Sequence, residues 1–164
     1  MASEHQNLSE YNKEKLKNAK GFRFGIVTAQ WNNDITFSLR DGCIQALKDN
    51  GCKDENIVSI EVPGAFELTS GAKYLLEYKD LDAVICLGCI IKGATKHDEY
   101  IAIAVGNGIT QLNLDHQKPV IFGVLTPNDH KQALERSGGK HGNKGIEAAI
   151  TAIQMAQLKA DIKS

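Results

Sequence analysis

The sequence lacks the features that mark several large classes of protein. Its 164 residues contain no run near the roughly 18 apolar residues that a membrane-spanning helix needs. Its 19 basic residues are balanced by 20 acidic ones, which gives a formal net charge of −1 and a pI near 6.5. No broad basic surface is therefore expected for nucleic acid. The sequence also has no low-complexity tract and no repeat at solenoid period.

The N-terminal sequence lacks the marks of a targeting signal. MASEHQNLSE has neither a basic start nor an apolar core, which disfavours a secretory signal. The first 20 residues carry Glu4, Glu10 and Glu14 but no arginine, which disfavours an organellar transit peptide. We therefore expect a cytoplasmic protein. We expect residues 1–20 to form a polar arm or short helix outside the core, and residues 21–164 to form one domain.

Cysteine and histidine spacings that would suggest a metal site are missing. Cys86 and Cys89 form a C-x-x-C pair, but they lie in a strand-like run, where residues three apart point to opposite faces. Cys43 and Cys52 provide no second pair at ligand spacing. The five histidines show no H-x-x-x-H or similar pattern. We expect no bound metal ion.

What the sequence does contain is a regular alternation of strand-like and helix-like segments. The apolar, strand-like runs are FRFGIVTA, NIVSIEV, AVICLGCII and PVIFGVLT. Amphipathic segments follow each of them, and the last, NKGIEAAITAIQMAQLKADI, places Ile146, Ile150, Ile153 and Leu158 along one side. Apolar strands that alternate with amphipathic helices indicate a parallel sheet covered on both faces. We expect a three-layer α/β/α sandwich with a mainly parallel four-stranded sheet.

Ligands of such a sheet bind beyond the carboxyl ends of its strands, which directs attention to the turns. After the third strand, Gly93 and Ala94 leave the backbone open before Thr95, a candidate N-cap with Asp98 as an approximate capping partner. The free N–H groups and the dipole of such a helix start favour a phosphate, although an ordinary start binds only water. The patterns G-x-x-x-x-G-K-[ST] and G-x-G-x-x-G are absent, which disfavours a nucleoside triphosphate or a dinucleotide.

His97 lies in the first turn of the same expected helix. Histidine titrates near neutral pH, so at the ligand end of a sheet it is suited to transferring protons. The alternative is an exposed or buried histidine with no chemical role.

Basic and aromatic side chains elsewhere also admit two interpretations. The segment ERSGGKHGNKG gathers Arg136 and Lys144 among glycines, and is either a solvated connection in which Gly138 or Gly139 ends the preceding helix, or a grip for an oxyanion. Trp31, Phe66 and Phe122 are either core residues or faces on which a flat heteroaromatic ring stacks.

Four motifs in this order, VPGAFEL, LGCIIKGATKHDEY, VIFGVLT and ERSGGKHGNKG, resemble those of the lumazine synthase family. The similarity spans about residues 20–160. It implies a flavodoxin-like fold and the penultimate step of riboflavin biosynthesis: 5-amino-6-(D-ribitylamino)uracil and 3,4-dihydroxy-2-butanone 4-phosphate condense to 6,7-dimethyl-8-ribityllumazine and phosphate. It implies no cofactor, neither metal nor organic.

The resemblance also implies roles for individual residues. Trp31 would stack on the pyrimidine, Phe122 would close the other side of the ring, and His97 would transfer protons. The ribityl chain would be bordered by Ala65, Phe66 and Glu67, and the uracil edge would meet backbone groups of Cys89, Ile90 and Ile91. The phosphate would be held by Gly93, Ala94, Thr95 and Arg136, with Lys144 as a further polar contact. Departures from the family pattern are modest: Cys89 replaces a common threonine and Lys92 a common arginine.

The family's pocket lies between adjacent subunits, so Phe122, Arg136 and Lys144 would come from a neighbour. The family forms pentamers, and in many bacteria twelve pentamers build an icosahedral shell of 60 subunits; the short segment SGGKHGNKG resembles that of shell-forming members. Riboflavin synthase is a further candidate partner. Two alternatives stay open: a non-catalytic flavin- or lumazine-binding shell protein, and the related archaeal type of riboflavin synthase. The second would not need a phosphate grip, so the GAT motif together with Arg136 argues against it.

Overall fold

Four parallel strands form the central sheet in a computed structural model that describes residues 7–12, 16 and 18–164. The strands are β1 (Phe24–Ala29), β2 (Ile57–Val62), β3 (Ala83–Cys89) and β4 (Val120–Leu125). Their order across the sheet is β2-β1-β3-β4, and each neighbouring pair is parallel. Every residue of β1 and β3 is buried, as expected for strands covered on both faces.

Two pairs of helices cover the two faces of this sheet. The helices are α1 (Asn33–Asp49), α2 (Leu68–Tyr78), α3 (His97–Asp115), α4 (His130–Glu135) and α5 (Lys144–Lys163), with a short 3-10 helix at Asp54–Asn56. Buried side chains of α1 and α5 form one hydrophobic cluster with the sheet, and those of α2 and α3 form the other. The predicted three-layer sandwich is confirmed, and its strand order is that of a flavodoxin-like sheet.

The pleat of β3 separates the two cysteines of the C-x-x-C pair, as predicted. Cys86 belongs to the cluster under α2 and α3, whereas Cys89 belongs to the cluster under α1 and α5. All four cysteines are free and buried. Among the described residues, no group of three or more His, Cys, Asp or Glu side chains gathers in a way that could hold a metal ion.

Local signals predicted the end of α1 correctly but only part of the buried side of α5. α1 stops at Asp49, and Gly51 adopts a φ of 93°, the left-handed conformation that ends helices and that glycine adopts without strain. On α5, Ile150 and Ile153 are buried, but Leu158 is 51% exposed, so its predicted place on the buried side is wrong. A period of 3.6 carries that stripe from Ile153 to Ala156 and Gln157, which are buried, and Leu158 lies one residue past it.

The glycine-rich segment after α4 forms a small antiparallel hairpin instead of a plain connection. Its strands are β5 (Ser137–Gly139) and β6 (Gly142–Asn143). α4 ends at Glu135, so the prediction that Gly138 or Gly139 ends this helix is wrong. Gly138 and Gly142 have φ values of 125° and 81°, and they serve the hairpin.

The N-terminal stretch is not wholly outside the core, contrary to the sequence-based expectation. Leu8 and Ala19 are buried, and Ala19 donates its N–H to the Asn50 carbonyl at 2.7 Å. Tyr11 and Leu16 pack against the α1 and α5 cluster, because the few apolar side chains of this polar stretch find apolar neighbours. The expectation for residues 1–6, 13–15 and 17 lies outside the described residues. No helix in the described ranges is long and apolar enough to span a membrane.

Candidate functional site

A cavity of about 980 Å³ lies where the order of the sheet reverses, beyond the carboxyl ends of β1 and β3. This is the point at which open α/β sheets bind ligands. The turns after β1, β2 and β3 and the first turns of α3 form its walls. The lining residues are Trp31, Asn32, Pro63, Gly64, Ala65, Phe66, Glu67, Cys89, Ile90, Ile91, Gly93, Thr95, His97, Asp98, Tyr100, Ile101 and Ala104.

The turn after β1 is held on two sides. Asn32 adopts a left-handed conformation with a φ of 58°, and its Nδ2 donates to the Cys89 carbonyl at 2.9 Å. The Trp31 N–H donates to the Pro63 carbonyl at 3.1 Å. These bonds tie the turn to its neighbours after β3 and β2, so the Trp31 backbone is fixed. The sequence analysis missed Asn32, although asparagine in a polar turn is a residue that tolerates this conformation.

Two aromatic rings stand at the mouth of the cavity without aromatic partners. The Trp31 side chain is 73% exposed and Phe66 is 57% exposed. Such large apolar surfaces are usually covered, and neither ring stacks on another ring among the described residues. A flat heteroaromatic ligand would cover this surface.

Backbone groups after β3 differ in their availability to a ligand. The Cys89 carbonyl accepts from Asn32, and the Ile90 N–H donates to the Leu125 carbonyl at 2.8 Å. The Ile90 carbonyl and both backbone groups of Ile91 make no hydrogen bond within the described part of the chain. Of the three residues predicted to meet a uracil edge, Ile90 and Ile91 therefore offer free groups, whereas the Cys89 carbonyl is already used.

The thiol of Cys89 is shielded although the residue belongs to the cavity wall. Its exposed fraction is 3%, and burial, with a smaller contribution from the Asp34 carboxylate, raises the pKa of this thiol to about 12. The thiol therefore stays protonated at neutral pH and does not act as a nucleophile there.

The start of α3 carries free amide groups at the cavity edge. α3 begins at His97 with Lys96 as its N-cap, so Thr95 is not the N-cap that the sequence suggested. The Thr95 hydroxyl instead accepts from the His97 N–H at 3.4 Å, and the Asp98 carboxylate reaches back to the Gly93 N–H at 3.2 Å. The N–H groups of residues 94–96 make no hydrogen bond to described residues, and they are free donors for an anion.

His97 faces the cavity from the first residue of α3. It is exposed, and its ring makes no ion pair or hydrogen bond to a described residue. Its face of α3 continues through Ile101 and Ala104, four and seven residues on, which also line the cavity. These two lining residues could have been predicted from the sequence by this helical spacing. Tyr100, Pro63, Gly64 and Asp98 are the other lining residues that the sequence analysis did not assign to a site.

Phe122, Arg136 and Lys144 do not line this cavity. Phe122 lies in the middle of the edge strand β4, paired with Cys86, and is 39% exposed. An Arg136 Nη donates to the Gln132 carbonyl at 3.2 Å, and the Lys144 ammonium pairs with Glu147. The predicted site residues thus fall into two groups, one at the cavity and one at β4 and the hairpin.

The charge of the cavity wall makes this separation significant. The lining residues include two carboxylates, Glu67 and Asp98, but no lysine or arginine. A phosphate in this cavity would meet backbone N–H groups and no lysine or arginine side chain from the wall. The cations that the sequence analysis assigned to a phosphate, Arg136 and Lys144, are in the other group.

Comparison with known proteins identifies relatives that match nearly the whole chain. The sequence model of the family described as 6,7-dimethyl-8-ribityllumazine synthase matches residues 21–160. A 6,7-dimethyl-8-ribityllumazine synthase of Parabacteroides distasonis is 50% identical, with 98% of this chain and 100% of the relative covered. The synthase of Christiangramia forsetii is 51% identical, with 99% and 98% covered. That of Flavobacterium johnsoniae is 50% identical, with 97% and 84% covered.

Proposed function

Because the chain belongs to the 6,7-dimethyl-8-ribityllumazine synthase family, we propose that it is a transferase of riboflavin biosynthesis. It condenses 5-amino-6-(D-ribitylamino)uracil with 3,4-dihydroxy-2-butanone 4-phosphate to give 6,7-dimethyl-8-ribityllumazine and inorganic phosphate. The observation that supports this most directly is the cavity at the switch point of the sheet. There an uncovered aromatic surface lies in the same wall as a helix start with free amides.

The uracil substrate fits the aromatic part of the cavity. We assign stacking on its ring to Trp31, hydrogen bonding of its edge to the free backbone groups of Ile90 and Ile91, and acceptance of ribityl hydroxyls to Glu67. Ala65 and Phe66 border the ribityl chain. Stacking and a few fixed polar groups hold a planar reactant in one orientation, which lowers the entropic part of the barrier.

The phosphorylated substrate fits the start of α3. We assign its phosphate to the segment of Gly93, Ala94 and Thr95, where the unpaired N–H groups of Ala94 and Thr95 and the helix dipole favour an anion. The amine of the first substrate attacks the ketone to form an imine, phosphate leaves, and a second condensation closes the ring with loss of water. These steps need proton transfer near neutral pH, which we assign to His97.

The complete site, in this proposal, takes residues from two copies of the chain. The wall of the cavity has no lysine or arginine, and a phosphate dianion is held best by charge-assisted hydrogen bonds. We therefore assign Arg136, Lys144 and Phe122 of an adjacent copy to the open side of the cavity. Two large apolar side chains of α3, Tyr100 at the cavity and Ile103 three residues further on, are exposed in the single chain and suit such an interface.

The proposed assembly is a pentamer, with twelve pentamers forming a 60-subunit shell. The short segment SGGKHGNKG, whose sequence resembles the connection in shell-forming members, supports the shell. We further propose that residues 21–164 are the catalytic domain, that the protein acts in the cytoplasm, and that riboflavin synthase is a partner, on the ground of the family's place in riboflavin biosynthesis.

One experiment tests the proposed reaction against a non-catalytic lumazine-binding shell. The two substrates are mixed with the full chain, and phosphate release and lumazine absorbance are followed together. We expect both signals to rise in equal molar amounts. Ligand binding with neither signal would contradict the enzyme and favour the non-catalytic alternative.

A further inference from the structure

A short N-terminal segment lies directly on the hairpin that joins α4 to α5. We call residues Asn7, Leu8 and Ser9 the docking segment and residues 137–143 the hairpin. The Leu8 N–H donates to the His141 carbonyl at 2.7 Å, and the Ser9 hydroxyl accepts from the Asn143 N–H at 3.0 Å. Leu8 is only 6% exposed, so its side chain is buried as well. The segment is therefore held by both backbone and side-chain contacts.

The fit between the docking segment and the hairpin is close. A Cβ atom at Gly142 would lie 2.2 Å from the Asn7 Oδ1 and 2.7 Å from the Ser9 nitrogen. Because real Cβ contacts are never this short, only glycine at this position allows the segment to lie where it does. The glycine also has a φ of 81°, which suits few other residues.

Asn143 links the docking segment to the interior. Its Nδ2 donates to the Ser38 carbonyl of α1 at 3.0 Å and to the Ser137 carbonyl at 3.2 Å, and its Oδ1 accepts from the Gly145 N–H at 2.8 Å. The same residue donates its own N–H to Ser9. One side of the hairpin is thus fixed by α1, and the other by the docking segment.

The hairpin is too small to hold its geometry alone. Its strands have three and two residues, their register is irregular, and two glycines adopt positive φ values. An isolated two-stranded hairpin is marginally stable at best in water, and glycines increase the entropy lost when it becomes ordered. Contacts from outside must therefore supply much of its order.

Arg136 and Lys144 flank this hairpin, and a backbone hydrogen bond joins them. The Lys144 N–H donates to the Arg136 carbonyl at 2.9 Å, so the position of each backbone depends on the other. Apart from the bond to Gln132, the Arg136 guanidinium makes no hydrogen bond to a described residue, which leaves most of its donors for a ligand. Since the Arg136 N–H also donates to the Ala133 carbonyl of α4, the hairpin and α4 together set where this guanidinium lies.

We propose that the docking segment is a positioning element for phosphate binding: it holds the hairpin in the arrangement from which Arg136 grips the phosphorylated substrate. This rests on the proposed function, because it requires Arg136 to bind that phosphate. Releasing the segment lowers the fraction of molecules with a competent hairpin, and the apparent affinity for phosphate falls by the same fraction. The binding of the uracil substrate, which uses the cavity, stays unchanged.

Four variants of the full chain test this. Leu8→Asp places a carboxylate in a buried position and releases the segment, whereas Leu8→Met keeps an apolar side chain there. Ser9→Ala removes the acceptor for the Asn143 N–H, whereas Ser9→Thr retains a hydroxyl. The readouts are kcat, the KM of each substrate, the inhibition constant of inorganic phosphate, and hydrogen exchange of the backbone amides of residues 136–145.

For Leu8→Asp we expect faster exchange in residues 136–145 and a rise of about tenfold in the KM of the phosphorylated substrate and in the inhibition constant of phosphate. For Ser9→Ala we expect the same two constants to rise roughly threefold. For Leu8→Met and Ser9→Thr we expect values close to those of the unmodified protein. We expect kcat and the KM of the uracil substrate to stay within about twofold in all four.

Three outcomes would overturn the inference. Exchange that does not change would mean that the segment does not order the hairpin. Faster exchange with an unchanged KM and inhibition constant would mean that the hairpin does not position the phosphate grip. An equal loss for both substrates and in kcat would indicate general damage. Turnover by the unmodified protein is measured in parallel. Absence of that turnover would refute the proposed function itself, whereas any of the three outcomes above with normal turnover would refute only this inference.

Discussion

The cavity and the hairpin region carry different kinds of side chain, which suit different parts of the proposed condensation. The cavity has uncovered aromatic rings, free amides, a histidine and two carboxylates, but no lysine or arginine. The hairpin region has Arg136 and Lys144, next to a hairpin whose Asn143 side chain bonds to α1 and whose His141 carbonyl accepts from the N-terminal segment. In the proposed site, the cavity therefore suits the planar ring of the uracil substrate, and the arginine and lysine for the phosphate come from the hairpin region. Substitutions in the two regions should therefore have different kinetic signatures.

The largest effect is expected from Arg136→Ala. Loss of a charge-assisted grip contributing about 1.5 to 3 kcal/mol should lower kcat/KM for the phosphorylated substrate roughly 10- to 150-fold. The KM of the uracil substrate should hardly change. Lys140→Ala, which removes an exposed cation from the same hairpin, is the matched control for net charge. Unchanged steady-state constants in Arg136→Ala would remove this residue from the site.

The second-largest effect is expected from His97→Ala, which changes the cavity. Turnover should fall by about 10²-fold or less, because proton transfer by a side chain typically contributes this much and water can replace it in part. The measurement is kcat at saturating concentrations of both substrates. His116→Ala is the control, since that histidine lies beyond the other end of α3. A His97→Ala protein with full turnover would exclude this residue from the mechanism.

A smaller effect is expected from Trp31→Ala. Losing the stacking face should raise the KM of the uracil substrate about fivefold to tenfold and leave that of the phosphorylated substrate nearly unchanged. Trp31→Phe should recover most of the affinity. Tyr78→Ala, which removes another exposed aromatic ring away from the cavity, is the control. An equal rise in the KM of both substrates would contradict the assignment of Trp31 to the uracil substrate alone.

The smallest effect near neutral pH is expected from the cysteines of β3. Burial raises the pKa of Cys86 and of Cys89 to about 12 from 9.0, so the folded protein keeps these protons after the unfolded chain has lost them. The free energy of unfolding should therefore be unaffected below about pH 8 and should fall as pH rises from about 9 towards 12. Urea denaturation along a pH series measures this, with Cys89→Ala expected to show a shallower fall. Rapid thiol labelling of the native protein at pH 8 would contradict this shielding.

The sequence predicted the layers of the fold well because their signals are local. Runs such as AVICLGCII carry the pattern of a buried strand, and Gly51 ends α1 through its own backbone freedom. The hairpin was missed because Ser137, Gly138 and Gly139 carry no apolar alternation, and its order comes from Asn143 and from residues more than 100 positions away. Burial of Leu8 depends on the same distant contact.

The cavity wall was predicted largely through the resemblance and through the rule for carboxyl ends of strands. Trp31, Phe66 and His97 follow strands or begin a helix, so topology alone brings them together. Asn32 was missed because its role depends on the Cys89 carbonyl of another strand. The separation of Arg136 from the cavity was expected only from the subunit arrangement that the family resemblance implied. No spacing in a single sequence reveals a contact between copies.

A mixing experiment tests the central claim, that one site combines the cavity of one copy with the hairpin of its neighbour. A chain with Trp31→Ala and His97→Ala is defective only in the cavity, and a chain with Arg136→Ala only in the hairpin. Equal amounts are unfolded together and refolded into mixed assemblies, and lumazine formation is measured. Since half of the cavities and half of the hairpins are intact, we predict about a quarter of the unmodified activity. Activity no higher than the average of the two separate variants would contradict the claim.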